Sequence, residues 1–377
     1  MRRTIYADNA ATTQLDVEAF EAMKPYMLNE FGNPSQPYSF SRTTKKALED
    51  SRAVIAECIG ACPDEIFFTS GGTESDNWAI KGCAFANDEK RATITSAIEH
   101  HAVLKSCEAI ERLGFPVAYI WPDHDGVVAP SSLSRIITSK TNLVSIMLAN
   151  NEIGTVEPIR ELAEMAHHNG ALFHTDAVQA VGHIPINVQS LGVDLLSASA
   201  HKFHGPRGVG FLYVKRGTMI SSYMTGGGQE SGLRAGTQNI PAIVGMACAL
   251  KKAVSSLQSG MAHVSSLEKL LLSKLESKGV CYRRNGGKDI LPGLVSLSFD
   301  GFDGEAILHR MDLKGIAIST GSACNGASTE ISHVLRAIRL DDSCAKGTIR
   351  ISLGTNNTEE DVNTIAKELS AIVSERW

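Results

Sequence analysis

The chain has 377 residues, 43% hydrophobic and 20% charged, with a formal net charge of −5. That length exceeds one hydrophobic core and fits about two domains of roughly 150 residues. The mild charge argues against a nucleic-acid footprint or a polybasic membrane patch, no apolar run approaches the roughly 20 residues that span a bilayer, and Met1-Arg2-Arg3 leads into no signal-like apolar run, so a cytoplasmic protein is expected.

Ala7 to Thr13 is short, small and polar, an ordered lead-in and not a strand. Asp16 to Leu28 has helical spacing (Val17, Phe20, Met23, Met27), Gly32-Asn33-Pro34-Ser35 is a loop, and Arg42 to Ile59 is a longer amphipathic helix. Glu65 to Thr69 reads as a strand that runs into Ser70-Gly71-Gly72 and then a helix starting near Thr73. Backbone N–H groups at such a helix start favour an anion, although Gly-Gly-Thr-Glu is also an ordinary capping turn. Further strands are expected at Ala92–Ser96, Val117–Trp121, Leu143–Leu148, Ala171–Thr175, Leu195–Ser197 and Val209–Val214. Helical runs at His101–Leu113, Leu133–Ile137 and Ile159–His168 alternate with them, which predicts a largely parallel sheet covered by helices. A second glycine-rich loop, Gly226 to Thr237, precedes helices at Ile240–Ser256 and Val264–Leu275. A second domain then takes strands at Leu294–Phe299, Ile316–Ser319 and Thr348–Leu353 and a closing helix from Thr358 to Ser374.

Polar residues collect where these strands end. His100 follows one strand, Asn150-Asn151-Glu152 another, Asp176 and Gln179 a third, and Lys202 a fourth. A single polar strand end reflects turn chemistry. Four on one side of a sheet predict a pocket. Lys202 lies between His201 and His204 in a Gly- and Pro-containing loop, where an amine can lose its proton and attack a carbonyl. The eight cysteines (58, 62, 83, 107, 248, 281, 324 and 344) contain no Cys-x-x-Cys pair. No metal site or disulfide framework is predicted, and most of these thiols are expected to be free and buried.

Taken in order, several blocks resemble the cysteine desulfurases (NifS/IscS-like) of the class V aminotransferase-like group, the pyridoxal-phosphate enzymes of fold type I. The blocks are Ala7 to Thr13, Thr69 to Ser75, Glu99-His100, Asn150 to Gly154, Asp176 to Gln179, Ser199 to Lys202, Arg234 to Thr237, Thr320 to Cys324 and Ser332 to Arg336. The resemblance implies an α/β fold: a mainly parallel seven-stranded sheet in a large domain (14–258) and a smaller α+β domain (1–13 and 259–377) carrying the Cys324 loop. It implies pyridoxal 5′-phosphate, with Lys202 as the amine that bonds it and later shuttles protons. Asp176 matches the carboxylate at the pyridine nitrogen, and His100 the imidazole on the ring face, which also serves as an acid–base group. Asn151 and Gln179 match side chains near the ring hydroxyl. Gly72, Thr73, Ser199 and His201 match the phosphate site, and Thr237 a phosphate ligand donated by the other subunit of a homodimer. Arg350 matches the clamp for the substrate carboxylate, with Asn33 and Asn151 as further substrate contacts.

By the same resemblance, Cys324 sets the reaction. Its surroundings, Gly321-Ser322-Ala323-Cys324-Asn325-Gly326, are too small for a packed core and predict a mobile loop. A thiolate there would take sulfur from L-cysteine as a persulfide and release alanine, for transfer to an acceptor protein such as an iron–sulfur scaffold or a tRNA-thiolation protein. Gln36-Pro37-Tyr38 departs from a Ser-x-His arrangement common in the family, which bears on the substrate entrance. The chain ends soon after its last helix, where scaffold-feeding relatives often carry a longer tail, so the acceptor stays open. Two other readings share much of the pattern. A selenocysteine lyase would not need Cys324. A non-catalytic sulfur-carrier-binding subunit would not need Lys202, Asp176 and Cys324 together.

Overall fold

The computed structural model describes residues 4–87, 89, 91–320 and 331–375. Seven strands form the main sheet in the spatial order Ile66–Thr69, Gly210–Val214, Leu195–Ser199, Leu172–Asp176, Thr141–Ser145, Ala92–Ser96 and Val117–Ile120. Gly210–Val214 alone runs against its neighbours, so the sheet is mainly parallel as expected. Neighbouring residues within a strand feed different cores. Val144, Leu196 and Phe211 pack with the helices Arg42–Ile59, Ile159–His168 and Ile240–Ser255. Leu143, Leu195 and Leu212 pack with Trp78, Ile80, Cys107 and Ile110 from the helices Gly72–Ala86 and His101–Arg112. This is the period of two of a strand covered on both faces, and it explains why these strands read as continuous apolar runs.

A four-stranded antiparallel sheet holds Ser319–Thr320, Thr348–Ser352, Leu294–Ser298 and Arg283–Arg284. It packs on Leu257–Ser277, Gly304–Leu313 and Glu359–Ser374 through Leu271, Val295, Met311, Ile351 and Leu369. The N-terminal strand Ile5–Tyr6 pairs in parallel with Ile316–Ala317, and Ala7 joins this second core. Among the described residues, no single helix is long and apolar enough to cross a membrane.

Three expectations need correcting. The strand expected at Ile316–Ser319 is two short strands, because the chain changes partner at Ile318 from Ile5–Tyr6 to Thr348–Ser352. The helix expected at Leu133–Ile137 is Pro130–Ser134, started by a proline whose fixed φ suits a first helical position. The cysteines are not mostly buried. Of the seven described, all free, Cys83 and Cys107 are buried, Cys58, Cys248 and Cys344 are half-buried, and Cys62 and Cys281 are exposed. Cys62 precedes the turn at Pro63 and Cys281 lies between Leu257–Ser277 and Arg283, both outside the helices and strands.

Candidate active site

The C-terminal ends of the parallel strands open on a cavity of about 520 Å³. Gly72, Thr73, His100, Asn151, Asp176, Gln179, Ser199, His201, Lys202 and Arg350 all line it. A second cavity, about 330 Å³, is lined by Thr13, His183, His204, Lys252 and Leu353 and by none of the predicted site residues.

Lys202 closes a single 3₁₀ turn, Ala200–Lys202, directly after the Leu195–Ser199 strand. Its Nζ donates to the carbonyls of Ala10 (2.5 Å) and Ala11 (3.0 Å), so the amine faces the cavity wall and not open solvent. Asp176 ends the neighbouring strand and is buried; its Oδ1 accepts the N–H of Val178 at 2.9 Å. Burial lifts its carboxyl to about 6, against the pull of that N–H and of Lys202. His100 caps the helix His101–Arg112, with Nδ1 accepting the N–H of Ala102 at 3.1 Å. That bond leaves the proton of the neutral ring on Nε2. Burial, then Lys202, lowers the ring to about 4, so it is neutral at pH 7.

The opposite wall suits a phosphate. The helix Gly72–Ala86 begins with no side-chain cap, so its first N–H groups stay open to an anion. Gly71 sits at φ +147°, a conformation that side chains rarely adopt, and a Cβ on Gly72 would lie 2.5 Å from Val178 Cγ2. Ser199 and His201 stand beside this cradle, and His201 Nδ1 lies 3.1 Å from Thr12 Oγ1. Gln179 Nε2 donates to Ala10 O at 2.9 Å.

Arg350 comes from the small sheet, in the strand Thr348–Ser352, and is buried. Nη1 donates to Asn151 O and Nη2 to Asp8 Oδ1, both at 2.8 Å, while Nε has no partner. Each terminal nitrogen keeps a second N–H, and a guanidinium with unused N–H groups lining a cavity fits an arriving carboxylate.

Two predicted residues stand elsewhere. Asn33 does not line the cavity, and its Oδ1 accepts the N–H of Ser35 at 3.0 Å in a local turn. Thr237 is exposed and outside the cavity of its own chain. Cys324 lies outside the described residues. Sequence reasoning gave no role to Asp76 or Arg207, which also line the cavity. Asp76 follows Gly72 by four residues, one helical turn, and that spacing was the available signal for its inward direction. It is 1% exposed, and its Oδ1 has no hydrogen-bond partner, with His174 Nε2 3.8 Å away. Burial, then the charges of Asp176 and Glu99, holds its carboxyl well above the usual range.

The Aminotransferase class-V family profile matches residues 5–365. The chain belongs to the class-V aminotransferase family. Among its relatives is "Cysteine desulfurase IscS" of Dictyoglomus turgidum, 48% identical over 375 residues that cover 99% of this chain and 95% of the relative. A solved structure described as a NifS-like protein superposes with a TM-score of 0.92 at 39% identity, covering 98% of this chain and 99% of that one. Another, described as SspA in complex with cysteine, gives 0.83 at 36% identity and covers 94% and 100%.

Proposed function

We propose that this class-V protein is a pyridoxal-phosphate-dependent cysteine desulfurase, which takes sulfur from L-cysteine, leaves L-alanine and passes the sulfur to an acceptor protein. The observation that carries the reading is the meeting of Lys202, Asp176, His100 and Arg350 on one cavity, in a chain whose full-length relatives bear that name. The donor set fits pyridoxal phosphate: an uncapped helix start for the phosphate, a buried carboxylate for the pyridine nitrogen, a neutral imidazole for the ring face and an amine between them. Bound there, the cofactor supplies an electron sink for charge developing at the substrate's Cα.

The chain's own residues do the rest. Arg350 binds the substrate carboxylate through its remaining N–H groups, and Asn151 O holds one of its terminal nitrogens. Lys202 moves the proton at Cα. His100, neutral and with its proton on Nε2, is the group that holds or donates a proton at the ring face. The thiolate of Cys324 then attacks the substrate sulfur. A sulfur–sulfur bond forms, the Cβ–S bond breaks, and the carbon keeps the bonding pair and takes a proton to become the methyl group of alanine.

We read the working unit as a homodimer in which Thr237 completes the partner's phosphate site, and residues 14–258 as the large domain, with 1–13 and 259–377 as the small one. The test is intact-mass measurement after L-cysteine is added to the cofactor-loaded protein. A gain of about one sulfur atom, matched by alanine release and absent in Cys324→Ser, is expected. Alanine formed at the wild-type rate by Cys324→Ser would remove the reading.

A further inference from the structure

The strip from Ala7 to Thr13 has so far been given no role, yet it touches both ends of the site. Two of its carbonyls, on Ala10 and Ala11, hold the Lys202 amine. Two residues earlier, Asp8 holds Arg350.

Arg350 is 3% exposed, and a guanidinium that deep needs a counter-charge and fixed partners. Asp8 is the one acidic side chain in ion-pair contact with it among the described residues. The strip is stitched to the strand that carries Arg350. Ser352 N donates to Ala7 O at 2.8 Å, Asn9 N donates to Ser352 O at 3.2 Å, and Ala10 N donates to Ser352 Oγ at 2.9 Å. The carboxylate of Asp8 is therefore placed by backbone, not by a floppy side chain. With Nη2 on Asp8 and Nη1 on Asn151 O, the guanidinium plane is pinned at two points. Its Nε is buried without a partner, and each terminal nitrogen keeps a second N–H.

We propose that Asp8 is a positioning residue for substrate binding: it pins the guanidinium of Arg350 so that its remaining N–H groups are presented to the substrate's α-carboxylate. Because Lys202 rests on the same strip two and three residues further on, the strip sets the spacing between the clamp and the amine. This rests on the reading above that Arg350 takes the carboxylate. Asp8 itself does not touch the reacting atoms.

The experiment uses the full chain loaded with pyridoxal phosphate, in the variants Asp8→Ala, Asp8→Asn and Arg350→Gln. KM and kcat are measured for L-cysteine. The product L-alanine is titrated separately, its Kd read from the change in the bound cofactor's absorption. Asp8→Ala is expected to raise KM and Kd together by about tenfold, with kcat within about twofold. Asp8→Asn keeps an acceptor oxygen at the same place but not the counter-charge, and its KM and Kd are expected to fall between those of the wild type and Asp8→Ala. Unchanged KM and Kd in Asp8→Ala, with both raised in Arg350→Gln, would overturn the inference and leave the role of Arg350 standing. A fall in Kd in Asp8→Ala would also overturn it, since Asp8 would then be competing with substrate. Unchanged values in Arg350→Gln would remove the Arg350 reading, and this inference with it. Melting of each cofactor-free variant checks folding; should Asp8→Ala not fold, Asp8→Ser carries the same expectation.

Discussion

Asp76 and Asp176 face one cavity, and one oxygen of each lies, with a ring nitrogen of His100, in a group whose members are all within 4.8 Å of one another. Two buried carboxyls that close do not both ionise. Asp176 has the Val178 N–H and the charge of Lys202 to favour its anion, whereas Asp76 has a hydroxyl partner in Ser197 and the repulsion of two acids. The single negative charge therefore belongs on Asp176. The sign of the pH effect follows. At pH 7 Asp176 is mostly ionised; as pH falls through about 6 it takes a proton and loses its hold on a protonated pyridine nitrogen. Cofactor affinity of the wild type should weaken across that interval more than the affinity of Asp176→Asn, whose side chain has nothing to titrate. At pH 7.5, Asp176→Asn should bind pyridoxal phosphate at least about tenfold more weakly. Asp76→Asn, a neutral replacement for a group that is already neutral, should stay within about threefold. Equilibrium titration of the cofactor-free variants measures both, and equal losses in the two variants would mean that the charge is shared.

Among the elements, the turn from Ile66–Thr69 into Gly72–Ala86 is the one most constrained by backbone. Gly71 occupies φ +147°, and Gly210 on the adjacent strand is so close that a Cβ there would lie 2.7 Å from Gly71 Cα. Gly71→Ala should cost about 1–3 kcal/mol of stability in the cofactor-free protein. It should also weaken cofactor binding, because the strained turn aims the first helical N–H groups. Chemical denaturation and cofactor titration check the two effects, and an unchanged midpoint would show that the turn relaxes freely. The sequence spelled out this element because strand, glycine pair and helix follow one another without interruption. The sheet was legible for a related reason: short, largely buried runs alternate with helical patterns along the chain. Tertiary choices were hidden. Nothing local says that Asn33 turns back on Ser35, that Ile318 separates two strand partners, or that Asp76 is buried beside Asp176. The small helix Gly304–Leu313 and the two-residue strand Arg283–Arg284 went unread because neither carries a long apolar period.

For the molecule as a whole, the question is where Thr237 points its hydroxyl. Its loop is tied firmly to the phosphate side of the sheet. Glu230 accepts both Arg52 nitrogens at 2.8 Å, the N–H of Phe68 at 3.0 Å and Gln238 Nε2 at 3.2 Å. Arg234 Nε donates at 2.8 Å to Glu74, in the first turn of Gly72–Ala86. Glu230 and Ser231 adopt positive φ, 48° and 57°, which the buried Glu230 pair holds in place. On the homodimer proposed above, a loop anchored this closely to its own phosphate helix, with Thr237 nonetheless exposed, would serve a neighbour. In a two-fold dimer each site would then take its lysine from one chain and its threonine from the other. Mixing settles this. Lys202→Ala and Thr237→Val chains, differently tagged, are co-expressed and the heterodimer isolated. Donation across the interface gives it one complete site, built from Lys202 of one chain and Thr237 of the other. At limiting cofactor, its activity should be about half that of the wild-type dimer. Donation within one chain gives no complete site, and the activity should be no higher than that of the Thr237→Val homodimer. The latter outcome would return Thr237 to its own chain and require the loop to fold inward.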